Sequence, residues 1–228
     1  MANGQTDPYW ANPKVTAVFE NFVGWKTGRN GAITERTGAV IFKNFKIADS
    51  AIAGIEFSEI EDVADGYAKV EGGMIIGNTG HNDEDGIITG SRCWGLIGPR
   101  TENFTVEGVS FYEFDYMDSG ALSACSHCFH PASTDSGGRT YTVSGLVFDD
   151  ATVPRRIKWQ ETFREIIHDL DGSLTGLGPD SWATFYYPHL DQPECTHDPN
   201  VYDGLICDSR IQLRRIAFDG FSPNSFRM

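Results

Sequence analysis

The sequence predicts an all-β chain, a right-handed parallel β-helix of about eight to ten coils with inserted loops. Three observations lead there. One apolar template, φ-x-φ-x-x-φ-x-φ with φ apolar, recurs along the chain. Glycine or asparagine stands just before the second half of several copies. The composition, 25 Gly, 15 Phe, 8 Tyr and 5 Trp against 4 Met, favours strands and turns over helix bundles.

The copies follow in order. The first and weakest is Ala17-x-Phe19-x-x-Phe22-x-Gly24, and the second is Val40-x-Phe42-x-x-Phe45-x-Ile47. Then come Phe104-x-Val106-x-x-Val109-x-Phe111, Tyr141-x-Val143-x-x-Leu146-x-Phe148 and Ile211-x-Leu213-x-x-Ile216-x-Phe218. Each alternation is a short strand with inward apolar side chains, and the x-x gap is a corner between two strands. Asn21, Asn44, Gly108 and Gly145 sit at that gap, where a sharp bend requires left-handed backbone. Arg215 in the last copy departs from the rule.

Copies starting at 17, 40, 104, 141 and 211 are unevenly spaced. Coils of about 20 to 25 residues fill the wide intervals with unmarked rungs, for which Ala53–Phe57, Gly73–Gly77, Gly86–Gly90 and Phe163–Ile167 are candidates. At roughly 4.8 Å per rung the rod is on the order of 40 to 50 Å long. One domain then spans residues 1–228, with loops over 79–85, 123–138 and 177–203. The only helix-like stretch, Trp159–Ile167, alternates as a strand does. A β-sandwich is the alternative, but it gives no reason for one bent template to recur.

Charge narrows the partners. Eighteen basic residues against 32 acidic ones give −14, which disfavours a nucleic acid backbone as partner. No apolar run is long enough to span a bilayer, and the residues after Met1 lack the pattern of a signal peptide.

The five cysteines are Cys93, Cys125, Cys128, Cys195 and Cys207. Cys195 and Cys207 bracket a loop poor in apolar residues, where a disulfide is the preferred reading. Cys125-Ser126-His127-Cys128-Phe129-His130 offers half a zinc site, a disulfide partner for Cys93, or a buried thiol. Asn103-Phe104-Thr105 is a glycosylation sequon, so these features together lean towards an oxidising, extracellular setting.

Several phrases carry a resemblance. Gly86-Ile87-Ile88-Thr89, Gly98-Pro99-Arg100-Thr101, the run Val109–Asp115, Cys125-Ser126-His127-Cys128, the run Thr134–Thr140 and above all Asp169-Leu170-Asp171-Gly172-Ser173-Leu174-Thr175-Gly176 resemble the β-helix region of the fibrocystin family. They are more distantly similar to the cell-migration-inducing, hyaluronan-binding proteins. The likeness covers roughly residues 15–222. It implies an extracellular parallel β-helix of a larger cell-surface protein, associated with cilia, stereocilia or surface coats. The chain lacks the family's immunoglobulin-like repeats, the domain preceding the β-helix and a membrane anchor, so it reads as a fragment or a reduced relative.

Two chemistries compete at the last phrase. Asp169 and Asp171 stand two apart, so on a strand both would leave one face, as acidic clusters of β-helix glycan lyases and hydrolases do. His168, Arg164 and Asp149 or Asp150 would complete that cluster. Asp-Gly-Ser is also turn chemistry, in which the carboxylate bonds backbone amides. Asp169, Asp171, Ser173 and Asp180 further suggest a loose oxygen site for calcium, with Asp198, Asn200 and Asp203 a weaker parallel. Trp94, Trp159, Trp182, Phe185, Tyr186 and Tyr187 are candidate sugar platforms, although packing explains each equally well. His127, His130, His189 and His197 read as loop residues.

The leading expectation is a structural or adhesive extracellular β-helix in a cell-surface or ciliary coat or filament, stacking end to end or on other coat proteins. The alternative is a glycan-binding or glycan-cleaving protein using the acidic cluster, with or without calcium. No catalytic residue and no cofactor is firm.

Overall fold

The computed structural model describes residues 16–34, 39–57, 67–80, 94–99, 104–116, 119–123, 140–159, 166–186, 188–197 and 204–214. They form an all-β structure built on parallel sheets, with one four-residue α-helical turn, Val153–Arg156, and one 3-10 turn, Pro188–Leu190. In chain order the strands are β1 Ala17–Glu20, β2 Val23–Trp25, β3 Asn30–Thr34, β4 Val40–Ala48, β5 Ala53–Phe57, β6 Ala68–Ile76, β7 Trp94–Ile97 and β8 Phe104–Tyr112. They continue as β9 Gly120–Ser123, β10 Thr140–Ser144, β11 Val147–Asp149, β12 Ile157–Lys158, β13 Ile166–Asp169, β14 Ser181–Phe185, β15 Cys195–His197 and β16 Gly204–Cys207.

The chain alternates between two sheets. The larger runs β1-β4-β6-β8-β10-β13 in parallel, and the smaller runs β3-β5-β7-β9-β12, also in parallel. The larger sheet has a second lane, because β4, β6 and β8 bend at the template gap and β2 and β11 pair with their second halves. Register keeps like with like. Phe19, Phe42, Val70, Val106, Val143 and Asp169 stand opposite one another across the first lane. Ile47, Ile75, Phe111 and Phe148 do the same in the second. The apolar members of these columns from Phe42 and Ile47 onward, with Ile55, Phe57 and Leu96 from the smaller sheet, make one continuous core.

The bend is a column of its own. Asn21, Asn44, Gly72, Gly108 and Gly145 all have φ between 50° and 64°, the left-handed region that glycine and asparagine enter most cheaply. A second left-handed set, Lys26, Asp49, Glu113 and Asp150, closes the second lane. Gly72 belongs to a copy of the template that is hard to see in the sequence, Ala68-x-Val70-x-x-Gly73-x-Ile75. Its apolar position is held by Gly73, where a Cβ would stand 2.8 Å from the Phe45 carbonyl oxygen.

Several expectations change. Among the described residues six parallel rungs pair in the larger sheet and five in the smaller, fewer than eight to ten. The reason is coil length: successive register positions Val40, Ala68, Phe104 and Tyr141 lie further apart than the assumed repeat. The loop expected over 177–203 contains β14 and β15, which extend the sheet through β13-β14-β16-β15 in antiparallel fashion. Ile211–Arg214, the start of the last template copy, is not a strand; Ile211 donates its amide to the Asp208 carbonyl and Leu213 packs on a small satellite core. The rung expected at 86–90 lies outside the described residues, as do most of the loops 79–85 and 123–138.

The corner column generates a test. Gly73→Ala forces backbone apart at φ 114° and is expected to cost about 2 kcal/mol or more, read as a lowered urea midpoint. Asn44→Gly, at φ 50°, is expected to change stability by a few tenths of a kcal/mol at most.

Candidate functional site: the Asp169–Ser181 turn

The phrase Asp169–Gly176 follows β13, the last parallel strand of the larger sheet. Asp169 is opposite Val143 and therefore occupies the inward column that Phe42, Val70 and Val106 fill with apolar side chains. It is fully buried. Its Oδ2 accepts hydrogen bonds from the Leu174 amide at 3.0 Å, the Thr175 amide at 2.8 Å and the Thr175 hydroxyl at 3.0 Å. A carboxylate that gathers three donors folds the following residues over the end of the column.

Asp171 and Ser173 close the neighbouring lane. Asp171 Oδ2 accepts the Gly145 amide at 2.6 Å and its Oδ1 accepts the Ser173 amide at 3.0 Å. Ser173 Oγ accepts the Leu146 amide at 3.0 Å. Elsewhere at this corner the partner is the next rung's backbone, as where the Lys43 carbonyl accepts the Asn21 amide. At the end of the stack, side-chain oxygens stand in for the missing rung. This is end-capping chemistry, the sheet counterpart of a helix cap. Gly172, Gly176 and Gly178 supply the positive φ that such tight turns need, after which the chain reverses into β14.

The two acids differ in proton affinity. Burial, foremost, pushes the Asp169 carboxyl above its ordinary value, against the bonds from Thr175 and Leu174. Burial works in the same direction on Asp171, but the bonds from Ser173 and from the Gly145 amide prevail and hold it below its ordinary value. A raised and a lowered carboxyl side by side resemble an acid–base pair. Burial decides against that role, since Asp169 has no exposed surface with which to meet a substrate. The expected common face is thus corrected: Asp169 ends a strand pointing inward, and Asp171 lies beyond it in the turn.

His168 faces the opposite way from Asp169. Its ring stacks on Trp182 with centroids 4.0 Å apart, and Nε2 lies 3.3 Å from Asp180 Oδ1. Asp180 is thereby engaged on the outer face. Among the described residues no group of three or more His, Cys, Asp or Glu is placed to share a metal ion. Asp149 is the last residue of β11 and Asp150 sits at the corner after it. Arg164, Asp198, Asn200, Asp203, Tyr187, His127, His130, Cys93, Cys125, Cys128 and Asn103 lie outside the described residues, as does the His189 side chain.

Aromatic platforms are corrected too. Trp94, Trp159 and Trp182 are buried, the first two inside core clusters. On the outer face of β13-β14-β16 a satellite core of Ile166, Trp182, Leu205 and Cys207 is covered by Tyr186, Leu190, Cys195 and Leu213. Cys195 and Cys207 are directly opposite on β15 and β16 and form a disulfide with an S–S distance of 2.00 Å. Beside it Tyr186 stacks on His197 with centroids 3.5 Å apart and donates its hydroxyl to Asp191, which raises the phenol above its ordinary value.

No family model matches the sequence, and no solved structure matches the fold. Curated relatives do. Fibrocystin-L of Mus musculus is 30% identical over 231 residues, covering 97% of this chain and 5% of that protein. Fibrocystin-L of Homo sapiens is 27% identical over the same span, and Fibrocystin of Canis lupus familiaris is 27% identical over 174 residues, 75% of this chain and 4% of that protein. The chain therefore spans about a twentieth of the length of the relatives it matches.

The cap gives two tests. Asp169→Ala strands two amides and a hydroxyl in the interior and is expected to cost about 3 kcal/mol or more by urea denaturation. A lowered pKa means that Asp171 contributes stability above the ordinary carboxylate range and loses it as pH falls through its own lowered value. Asp169 acts in the opposite sense, its ionisation costing stability as pH rises. Asp171→Asn is therefore expected to lower the urea midpoint at neutral pH and to shrink the loss on acidification relative to the unaltered chain. Separately, Cys207→Ser is expected to cost about 2 to 4 kcal/mol, seen as a lowered melting temperature that reductant no longer shifts.

Proposed function

From a chain that is fibrocystin-like over nearly its whole length, we propose an extracellular right-handed parallel β-helix serving as a structural and adhesive element of a cell-surface or ciliary coat. The carrying observation is the unbroken parallel register from Ala17 through Val40, Ala68, Phe104 and Tyr141 to Ile167, closed by the Asp169–Ser181 turn. Alternation between two parallel sheets with in-register columns is what a solenoid wall requires, and crossovers between parallel strands favour the right hand.

The chemistry of the surface supports display rather than turnover. The two acids of the most family-like phrase hold the fold together, one from inside the core. Outside, the first lane carries a charge ladder: Lys69 lies 3.3 Å from Glu71 and 2.9 Å from Glu107, while Lys43 lies 3.3 Å from Glu71. Such a ladder keeps a broad flat face hydrated and presents it to other molecules. The satellite core with its disulfide suits an oxidising exterior.

The test is attachment. Beads coated with the chain are expected to bind ciliated epithelial cells and to leave hyaluronan intact with or without calcium. Coated beads that bind no more cells than bare ones, or hyaluronan that is cleaved, contradict the proposal; cleavage would favour the glycan-degrading alternative.

A further inference from the structure

The two ends of the stacked sheets are unlike. At the far end Asp169 closes the first lane, Asp171 and Ser173 hold the corner amides, and β14 turns the larger sheet antiparallel, although β11 and β12 each pair on one side only among the described residues. At the near end β1, β2 and β3 each pair on one side only among the described residues. Among the described residues, five of the eight large apolar side chains left exposed are found there: Val18, Phe19, Val23, Trp25 and Ile33. Val23 is 75% exposed and Trp25 61%. Between β1 and β3 an open cavity of about 400 Å³ is lined by Phe19, Phe22, Ala32, Ile33 and Phe42. An unpaired edge beside an apolar mouth is a template for another strand.

Charge indicates what approaches. The chain carries −14 overall, so two copies repel through most faces. Thr16–Thr34 holds one acid, Glu20, against Lys26 and Arg29. This end alone combines open edges, apolar surface and no acidic excess among the described residues. Head-to-tail stacking needs the first lane's edge free at the far end as well, and there β13 is already paired on both sides, with β10 and with β14. A two-fold axis needs only the near end twice.

We propose that this end is the interface between two copies of the chain, related by a two-fold axis across the rod, with β1 antiparallel to its copy and Phe19, Val23, Trp25 and Ile33 buried between them. The inference rests on the rod reading above and sharpens it: a rod paired at one end, with its first lane closed by β14 at the other, gives a discrete double-length strut, not a filament.

Sedimentation equilibrium of the 228-residue chain over roughly 1 to 100 µM tests this directly. The expected result is a monomer–dimer equilibrium without larger species. Val23→Lys with Ile33→Lys is expected to weaken dimerisation ~10-fold or more at an unchanged urea midpoint, whereas Ser110→Lys on the lateral face leaves it unchanged. A monomer throughout, a series of larger oligomers, or a dimer indifferent to the Val23 and Ile33 substitutions overturns the proposal. A monomer that dimerises only after removal of residues 1–12 also overturns it, because the chain's own first residues would then occupy the end. Cell attachment is read on beads, so a monomeric chain that still attaches leaves the rod function standing while the dimer fails.

Discussion

Everything in this structure depends on parallel strands staying in register, and that register depends on a bend repeated in the same place. Wherever the first lane turns into the second, one residue must take positive φ. Five consecutive rungs meet this with Asn21, Asn44, Gly72, Gly108 and Gly145. Because these corners stack, a slip of one residue would move them out of line and also turn each inward column to solvent. Local backbone chemistry and core packing therefore enforce the same register.

A stack of this kind must end somewhere, and its last rung carries amides with no neighbour. Asp171 and Ser173 satisfy the amides of Gly145 and Leu146, while Asp169 draws the turn over the apolar column. The glycine-rich acidic phrase is thus the closure of the first lane. Acidic residues in a glycine-rich phrase invite a catalytic or metal reading, but here Asp169 Oδ2 and both Asp171 oxygens are engaged by the chain's own donors, and Asp169 is buried. Beyond the cap, the disulfide and satellite core fasten the antiparallel strands to the outer face.

Much of this was legible in the sequence, for physical reasons. Template copies at 17, 40, 104 and 141 appear in one sheet with the corner residues where the pattern put them. The copy at Ala68 was hidden because glycine replaces an apolar side chain, at a spot where Phe45 leaves no room for a Cβ. β14 and β15 are hard to see in the sequence because their partners are antiparallel and they do not carry the template of the parallel rungs. The same-face reading of Asp169 and Asp171 failed because a strand was assumed to continue through a residue that ends it. The open near end could not be read at all: exposure of Val23 and Trp25 follows from which edge remains unpaired, and no residue's own identity encodes that.

The central claim is that side-chain oxygens stand in for a missing rung at the far-end corner, while β1, β2 and β3 keep one side unpaired among the described residues. Amide hydrogen exchange on the dilute monomer measures both at once. The account requires the Gly145 and Leu146 amides to be protected to the same degree as amides between β6 and β8, and protection to fall towards the edge strands β1 and β2. Exchange at Gly145 and Leu146 as fast as at exposed turn amides, with β1 protected like the interior, would contradict it.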